Sequence, residues 1–375
     1  MNGFKVGRIF GFTIRVDFSW FIIFFLILWT FTVAVFPRQV PGLSTSSYIL
    51  MSVAATLLFF SSLVAHELSH SLVARRRGIP IEGITLFIFG GVSHASGEPK
   101  TPKDEFAIAG VGPLTSILIT VLLVAVAFLL SRVGAGRPVT VVLQYTAMLN
   151  FVIAVFNLMP GFPLDGGRLF RAIVWKFTGD LGRATRIAAA AGSMFGFILV
   201  ALGFLQVFQG FLVGGLWFVF IGWFLHNAAR ATWRQYLIKQ ALQGVRAEQV
   251  MSPDPVAVPP DLSLEQLAND YLLRQKYVLY PVLDGGVAPI GVIGLGQVRK
   301  VPREEWSSRR VRDTMAPVNE TNTVASTDEV ERVMDRLRTS PSKRVLVVDD
   351  GRLVGIISPA DITEWLERTR LPEAS

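Results

Sequence analysis

The sequence predicts a mainly α-helical polytopic membrane domain of about six spans, with small β elements, followed by a soluble α/β module made of two copies of one unit. Three observations carry this expectation. Mean hydropathy is +0.48 and 51% of the 375 residues are apolar, more than a water-soluble globule of this length carries. Apolar runs near the roughly 20 residues that a helix needs to cross a bilayer recur through residues 1–240 and then stop. In the tail, Met251-Ser252-Pro253 returns as Met315-Ala316-Pro317 and Gly291-Val292-Ile293 as Gly355-Ile356-Ile357, each 64 residues on. A fixed offset of this kind marks tandem units. The expected divisions are 1–240, 248–309 and 310–372.

Taken from the N-terminus, residues 4–20 alternate imperfectly about Gly11 and read as a hairpin. The first apolar run covers residues 18–36. A cationic start before an apolar run also resembles a secretory leader. No small-x-small cleavage site follows, however, and Pro37 ends the run, so it reads as a retained span. Further runs cover 48–74, 106–130, 141–159, 187–207 and 211–225, with 164–175 as a possible return into the membrane after the fourth. Residues 84–92 are β-rich and contain Gly90-Gly91. A β segment at membrane depth must be shielded by protein or line a cavity. Residues 230–244 read as a helical linker. Within each tail unit an amphipathic helix (262–273; 328–337) precedes β-rich stretches (278–283; 344–348).

The basic residues test this order. Lys5, Arg8 and Arg15 precede the first run. Arg75, Arg76, Arg77, Lys100 and Lys103 follow the second, Arg168, Arg171, Lys176, Arg183 and Arg186 the fourth, and Arg230, Arg234 and Lys239 the sixth. The alternate loops carry only Arg38, Arg132 and Arg137. Such asymmetry places both termini and the tail on the cytoplasmic side of a cell membrane. It accounts for the formal net charge of +8 without a nucleic-acid partner. Cysteine is absent, which leaves His, Asp, Glu or Asn to bind any metal.

One constellation points to chemistry. His66-Glu67-Leu68-Ser69-His70 lies inside the second run, and two of the four histidines of the chain sit in it. Residues four apart share a helix face, so both imidazoles reach one ion. Glu67, beside the first, is placed to take a proton from an attacking water. This is the helical zinc-hydrolase signature. Its bland alternative is a polar helix end at the interface, which leaves the spacing unexplained. A catalytic zinc needs a third protein ligand and an open position. Asp165 suits it, within Asn157-Leu158-Met159-Pro160-Gly161-Phe162-Pro163-Leu164-Asp165-Gly166-Gly167-Arg168. The prolines and glycines there break the helix and expose backbone, as a cavity wall requires. The plainer roles are helix caps for Asp165 and Asn157. Two neutral imidazoles and one carboxylate leave a zinc site with one net positive charge, which a bound hydroxide brings to zero, and that suits a low-dielectric cavity better than a more charged set.

These residues resemble the site-2 proteases, a family of intramembrane zinc metalloproteases. The likeness covers the membrane half: the hairpin, His66–His70, Gly90-Gly91, Gly110-Val111-Gly112-Pro113, and Asn157 through Arg168. It implies zinc on His66, His70 and Asp165, catalysis by Glu67, and Asn157 close to the site; an oxyanion-stabilising role for Asn157 stands beside its capping role. It also implies a substrate that is itself a transmembrane segment, such as that of an anti-sigma factor or another membrane-bound regulator. Edge pairing with residues 84–92 would hold an unwound substrate.

The tail resembles a tandem CBS module, which implies an adenosine nucleotide, regulation by it, and pairing into homodimers. The family's ribose-binding Ser or Thr three residues before an Asp stands here as Ser358 and Asp361. The matching positions of the first unit, Gly294 and Gln297, depart from the pattern. The same spacing serves equally to cap the last helix. His94 and His226 read as surface or interfacial histidines, and Arg168 as an anchor or an aid to Asp165. The rival expectation is a CBS-regulated channel or transporter, which requires neither tightly bound zinc nor Glu67. A catalytically silent scaffold is disfavoured by intact His66, Glu67, His70 and Asp165.

Overall fold

The computed structural model describes residues 3–370 apart from 89, 96, 135, 276, 320 and 321. The chain forms two compact units, Met1–Tyr236 and Leu237–Ser375.

The first unit opens with the expected hairpin, β1 (Gly3–Ile9) and β2 (Phe12–Asp17). Phe10 and Gly11 both take positive φ, 50° and 86°, the turn whose twist matches paired strands. The hairpin is shorter than expected. The Asp17 carboxylate accepts the Ser19 amide at 3.0 Å and caps α1, so residues 18–20 are helical. This first span, α1 (Phe18–Gln39), includes a π-helical turn at Phe31–Val35. Then follow α2 (Thr45–Arg76), β3 (Ile81–Phe87), β4 (Gly90–Ala95), α3 (Pro102–Arg132), α4 (Arg137–Asn157), α5 (Asp165–Thr178), α6 (Leu181–Phe208) and α7 (Leu212–Leu242). Six of these helices, all but α5, are long and apolar enough to cross a membrane. The fourth span stops at Asn157 rather than 159. The stretch read as a possible return into the membrane is the amphipathic α5. The linker expected over 230–244 is the end of the unbroken α7.

Residues 84–92 are not one strand but parts of two. β3 and β4 pair antiparallel, and β3 joins β2 in parallel, in a sheet of order β1-β2-β3-β4. Periodicity alone could not show the reversal, because both arms keep the same apolar character. β4 is therefore an edge. Phe12, Ile14, Val16, Ile84 and Leu86 pack against Leu68 of α2, and Arg75 donates to the Phe10 carbonyl at 2.8 Å. These contacts hold the sheet against the helix that carries the paired histidines.

Loop 158–164 delivers α5 to the same place, and it depends on missing side chains. A Cβ at Gly166 would meet the Leu158 and Met159 backbone, and one at Gly167 the backbone of Gly161 and Phe162. Gly192 of α6 meets the Phe162 backbone in the same way. The Phe162 amide donates to the Ala188 carbonyl at 3.2 Å.

In the second unit the repeats exchange short strands. Ser252–Pro253 pairs with Arg352–Ile357, and Ala316–Pro317 with Ala288–Gly294. The repeated motifs explain each other. Gly355 leaves room for Met251 and Gly291 for Met315. The helix expected over 262–273 is a short turn, Leu264–Gln266, that widens into a π turn, Leu267–Leu272.

Gly192→Val should lower stability by about 1–3 kcal/mol through overpacking against Phe162. Unfolding of the full chain in detergent measures this, and an unshifted transition would show that α6 does not seat the loop.

Candidate metal centre

His66 and His70 are 1% and 7% exposed. Their Nε2 atoms stand 3.2 Å apart, and Asp165 Oδ2 lies 3.1 Å from each. The three atoms form a nearly equilateral triangle. Donors about 2.0–2.1 Å from one tetrahedral ion lie ~3.3 Å apart, so the triangle is slightly contracted from the face of such a site.

The far side of each ring supports the fit. His70 Nδ1 lies 2.6 Å from the Ile108 carbonyl oxygen. A carbonyl only accepts, so Nδ1 carries the proton, and in a neutral ring the lone pair is then on Nε2. His66 Nδ1 lies 2.9 Å from Ser116 Oγ, a partner that can hold the same tautomer. With both rings neutral and protonated on Nδ1, three lone-pair atoms converge. That arrangement is repulsive unless a cation sits among them, and two imidazoles with one carboxylate form a zinc donor set that keeps one position open. His66, His70 and Asp165 are the one such group found among the described residues.

Two glycines clear the space. A Cβ at Gly112 of α3 would land against His70 Nε2 and 2.7 Å from His66 Nε2. One at Gly91 of β4 would overlap the Glu67 side chain. The edge strand thus lies flush against Glu67. Ser93 Oγ and Ser71 Oγ, 3.0 Å apart, join β4 to α2 one turn further on. A cavity of about 710 Å³ runs over this floor, and its walls include Glu67, Gly91, Asn157, Asp165 and Arg168.

Of the residues singled out in the sequence, His66, Glu67, His70, Asn157, Asp165 and Arg168 all border this cavity. His94 lies on β4 with Nε2 2.8 Å from Thr85 Oγ1, and His226 Nδ1 lies 2.8 Å from Ser193 Oγ; neither joins the trio. In the second unit the Ser358 amide and hydroxyl donate to Asp361 Oδ2 at 2.7 and 2.6 Å. Ser252 donates to Asp361 Oδ1 at 2.6 Å. This is a helix cap with an added contact to the first repeat. Sequence reading missed Ser116 and the Ile108 carbonyl. The four-residue step from Gly112 to Ser116 was visible, but no local rule marks a serine as the partner of a histidine 50 residues away.

A family model described as peptidase family M50 matches residues 54–141 and 132–202. The CBS domain model matches 247–304 and 311–368. The chain is 36% identical over 373 residues to a protein of Mycobacterium tuberculosis named as a zinc metalloprotease, Rip3, covering 99% of this chain and 95% of the relative. It is 33% identical over 344 residues to zinc metalloprotease MJ0392 of Methanocaldococcus jannaschii, covering 91% and 93%. The solved site-2 protease from Methanocaldococcus jannaschii is similar over 62% of this chain and 95% of that one, with 27% identity and a TM-score of 0.43.

Ser116→Ala should weaken metal affinity about 10–100-fold, as loss of a ligand's hydrogen-bond partner does. Gly112→Ala should prevent tight binding altogether. Chelator competition on purified protein reads both, and wild-type affinity in Gly112→Ala would remove the trio from consideration.

Proposed function

The chain belongs to peptidase family M50, the site-2 protease group of zinc metalloproteases, in its branch with tandem CBS units, and on that premise we propose how this multi-pass membrane enzyme works. His66, His70 and Asp165 hold the zinc. The observation that carries this reading is the convergence of His66 Nε2, His70 Nε2 and Asp165 Oδ2, 3.1–3.2 Å apart, beside Glu67 in one cavity. A zinc ion there supplies Lewis acidity and lowers the pKa of an attacking water towards ~7.

The chain's own groups do the rest. Glu67 takes the proton of the attacking water and passes it to the leaving amide nitrogen. Asn157, on the same cavity wall, donates to the oxygen of the scissile carbonyl as negative charge grows there. Ile23, Ile27, Phe59 and Phe224 also line the cavity and keep bulk water from the substrate.

The substrate is a transmembrane segment of a membrane-bound regulator. Its peptide bonds are closed to water while it is helical, so the segment must unwind. β4, an edge strand beside Glu67, offers backbone groups that pair with the extended chain. Both termini and residues 248–372 face the cytoplasm, a placement supported by the basic loops. The two CBS units, taken as 248–309 and 310–372, bind an adenosine nucleotide near Ser358 and Asp361, pair into a homodimer and modulate cleavage.

Glu67→Gln should keep its zinc and lose cleavage of a single-span reporter by at least about 10²-fold; cleavage at the wild-type rate would exclude Glu67 as the base. Proline at Val92 and at Ser93 tests the edge. Neighbouring residues of a strand turn their N–H groups to opposite sides, so only one of the two variants removes an outward donor. That variant should cleave poorly with unchanged zinc content and melting temperature. Full cleavage by both would rule out strand pairing.

A further inference from the structure

A carboxylate outside the metal trio is the most buried acid of the membrane unit. Glu105, in the first turns of α3, is 0% exposed. Its Oε1 accepts both Nε, at 2.8 Å, and Nη2 of Arg171 on α5. Arg168 Nε stands 4.0 Å from the same oxygen, and Oε2 is buried without a hydrogen-bond partner. Arg171 also lies over the Phe162 ring, 5.1 Å from its centroid. As a contribution to stability this is a poor arrangement. A buried ion pair seldom outperforms apolar packing of the same volume, and an unpaired buried oxygen adds a desolvation cost.

Position explains it better. Glu105, Ile108, Gly112 and Ser116 recur along α3 at helical spacing and form one stripe. The Ile108 carbonyl orients His70, Gly112 clears both rings and Ser116 contacts His66. Glu105 begins the same stripe and grips the helix that starts at Asp165, with Arg168 one turn and Arg171 two turns beyond it. Through Phe162, Arg171 also touches the loop that precedes Asp165.

We propose that Glu105 and Arg171 are positioning residues for the third metal ligand: their buried bridge sets the separation of α3 from α5, and so the placement of Asp165 against two histidines that α3 has already oriented. This rests on His66, His70 and Asp165 being the ligands. Neither Glu105 nor Arg171 touches the metal or the substrate.

The test uses full-length protein in detergent with three readouts: zinc affinity by chelator competition, the visible spectrum of the cobalt-substituted protein, and thermal unfolding. Arg171→Lys keeps the charge but loses the fork. Glu105→Gln/Arg171→Gln removes both charges together, so no buried charge is left alone. Arg77→Ala, which breaks the exposed pair with Asp104 next to Glu105, is the control. We expect a 10–100-fold loss of zinc affinity and an altered cobalt spectrum in Arg171→Lys. The double variant should recover its melting temperature but not its affinity, and the control should match wild type. Wild-type affinity and spectrum in folded Arg171→Lys or in the double variant would overturn the proposal. So would a failure of both to fold, which would assign the bridge to the fold alone. A wild-type protein that binds no zinc would instead defeat the ligand assignment beneath it.

Discussion

His66 Nε2, His70 Nε2 and Asp165 Oδ2 are held within 3.2 Å of one another; with both imidazoles neutral and protonated on Nδ1 their lone pairs repel, and burial among apolar helices removes the water that would screen them. Much of the membrane unit can be understood as the scaffold for that convergence. α2 supplies two of the atoms from adjacent turns and α5 supplies the third. α3 stands between and contacts both sources. A long apolar helix gains little in lipid by burying more apolar surface, so its position must be set by close packing and hydrogen bonds. The contacts from Ile108 and Ser116 to the imidazoles, and from Glu105 to Arg171, are of that kind.

Glycine has an unusual share in this arrangement. At Gly112 and Gly91 the absent Cβ is the space in which the imidazoles and Glu67 sit. At Gly166, Gly167 and Gly192 it is the space through which loop 158–164 passes against neighbouring backbone. Four of these glycines lie in helices and Gly91 in a strand, and none needs a conformation closed to other residues. They share a close approach by a group distant in sequence, which is why they mark the site as clearly as the ionisable residues do.

On the proposed reading, the β sheet joins recognition to chemistry. Its buried face fixes it to α2 through Leu68, and Glu67 is the residue before Leu68 on that helix. The free edge and the proposed base are thus placed by the same contact. A substrate strand added to β4 would lie beside Glu67 without any further positioning element.

Several features were legible in the sequence because they are local or periodic. Five of the six apolar runs have the length a bilayer requires, and the sixth, 211–225, is the apolar start of the longer α7. His66 and His70 share a face because a helix turns every 3.6 residues. The tandem tail is plain from its 64-residue offset. Asp165 was identifiable only as a candidate, since nothing local separates a ligand from a helix cap. Distance along the chain hid the remainder. The reversal within residues 84–92 depends on pairing between β3 and β4. The orienting roles of Ser116 and Ile108 depend on α3 crossing α2, and the Glu105–Arg171 bridge joins residues 66 positions apart. By itself the sequence determined the spans, the paired tail and the chemical type of the candidate metal donors, because hydropathy, helical period and ligand chemistry act over a few residues. Only the tertiary structure decided which atoms meet, which edge is open and which glycines make room, because those depend on close packing between segments that composition does not link.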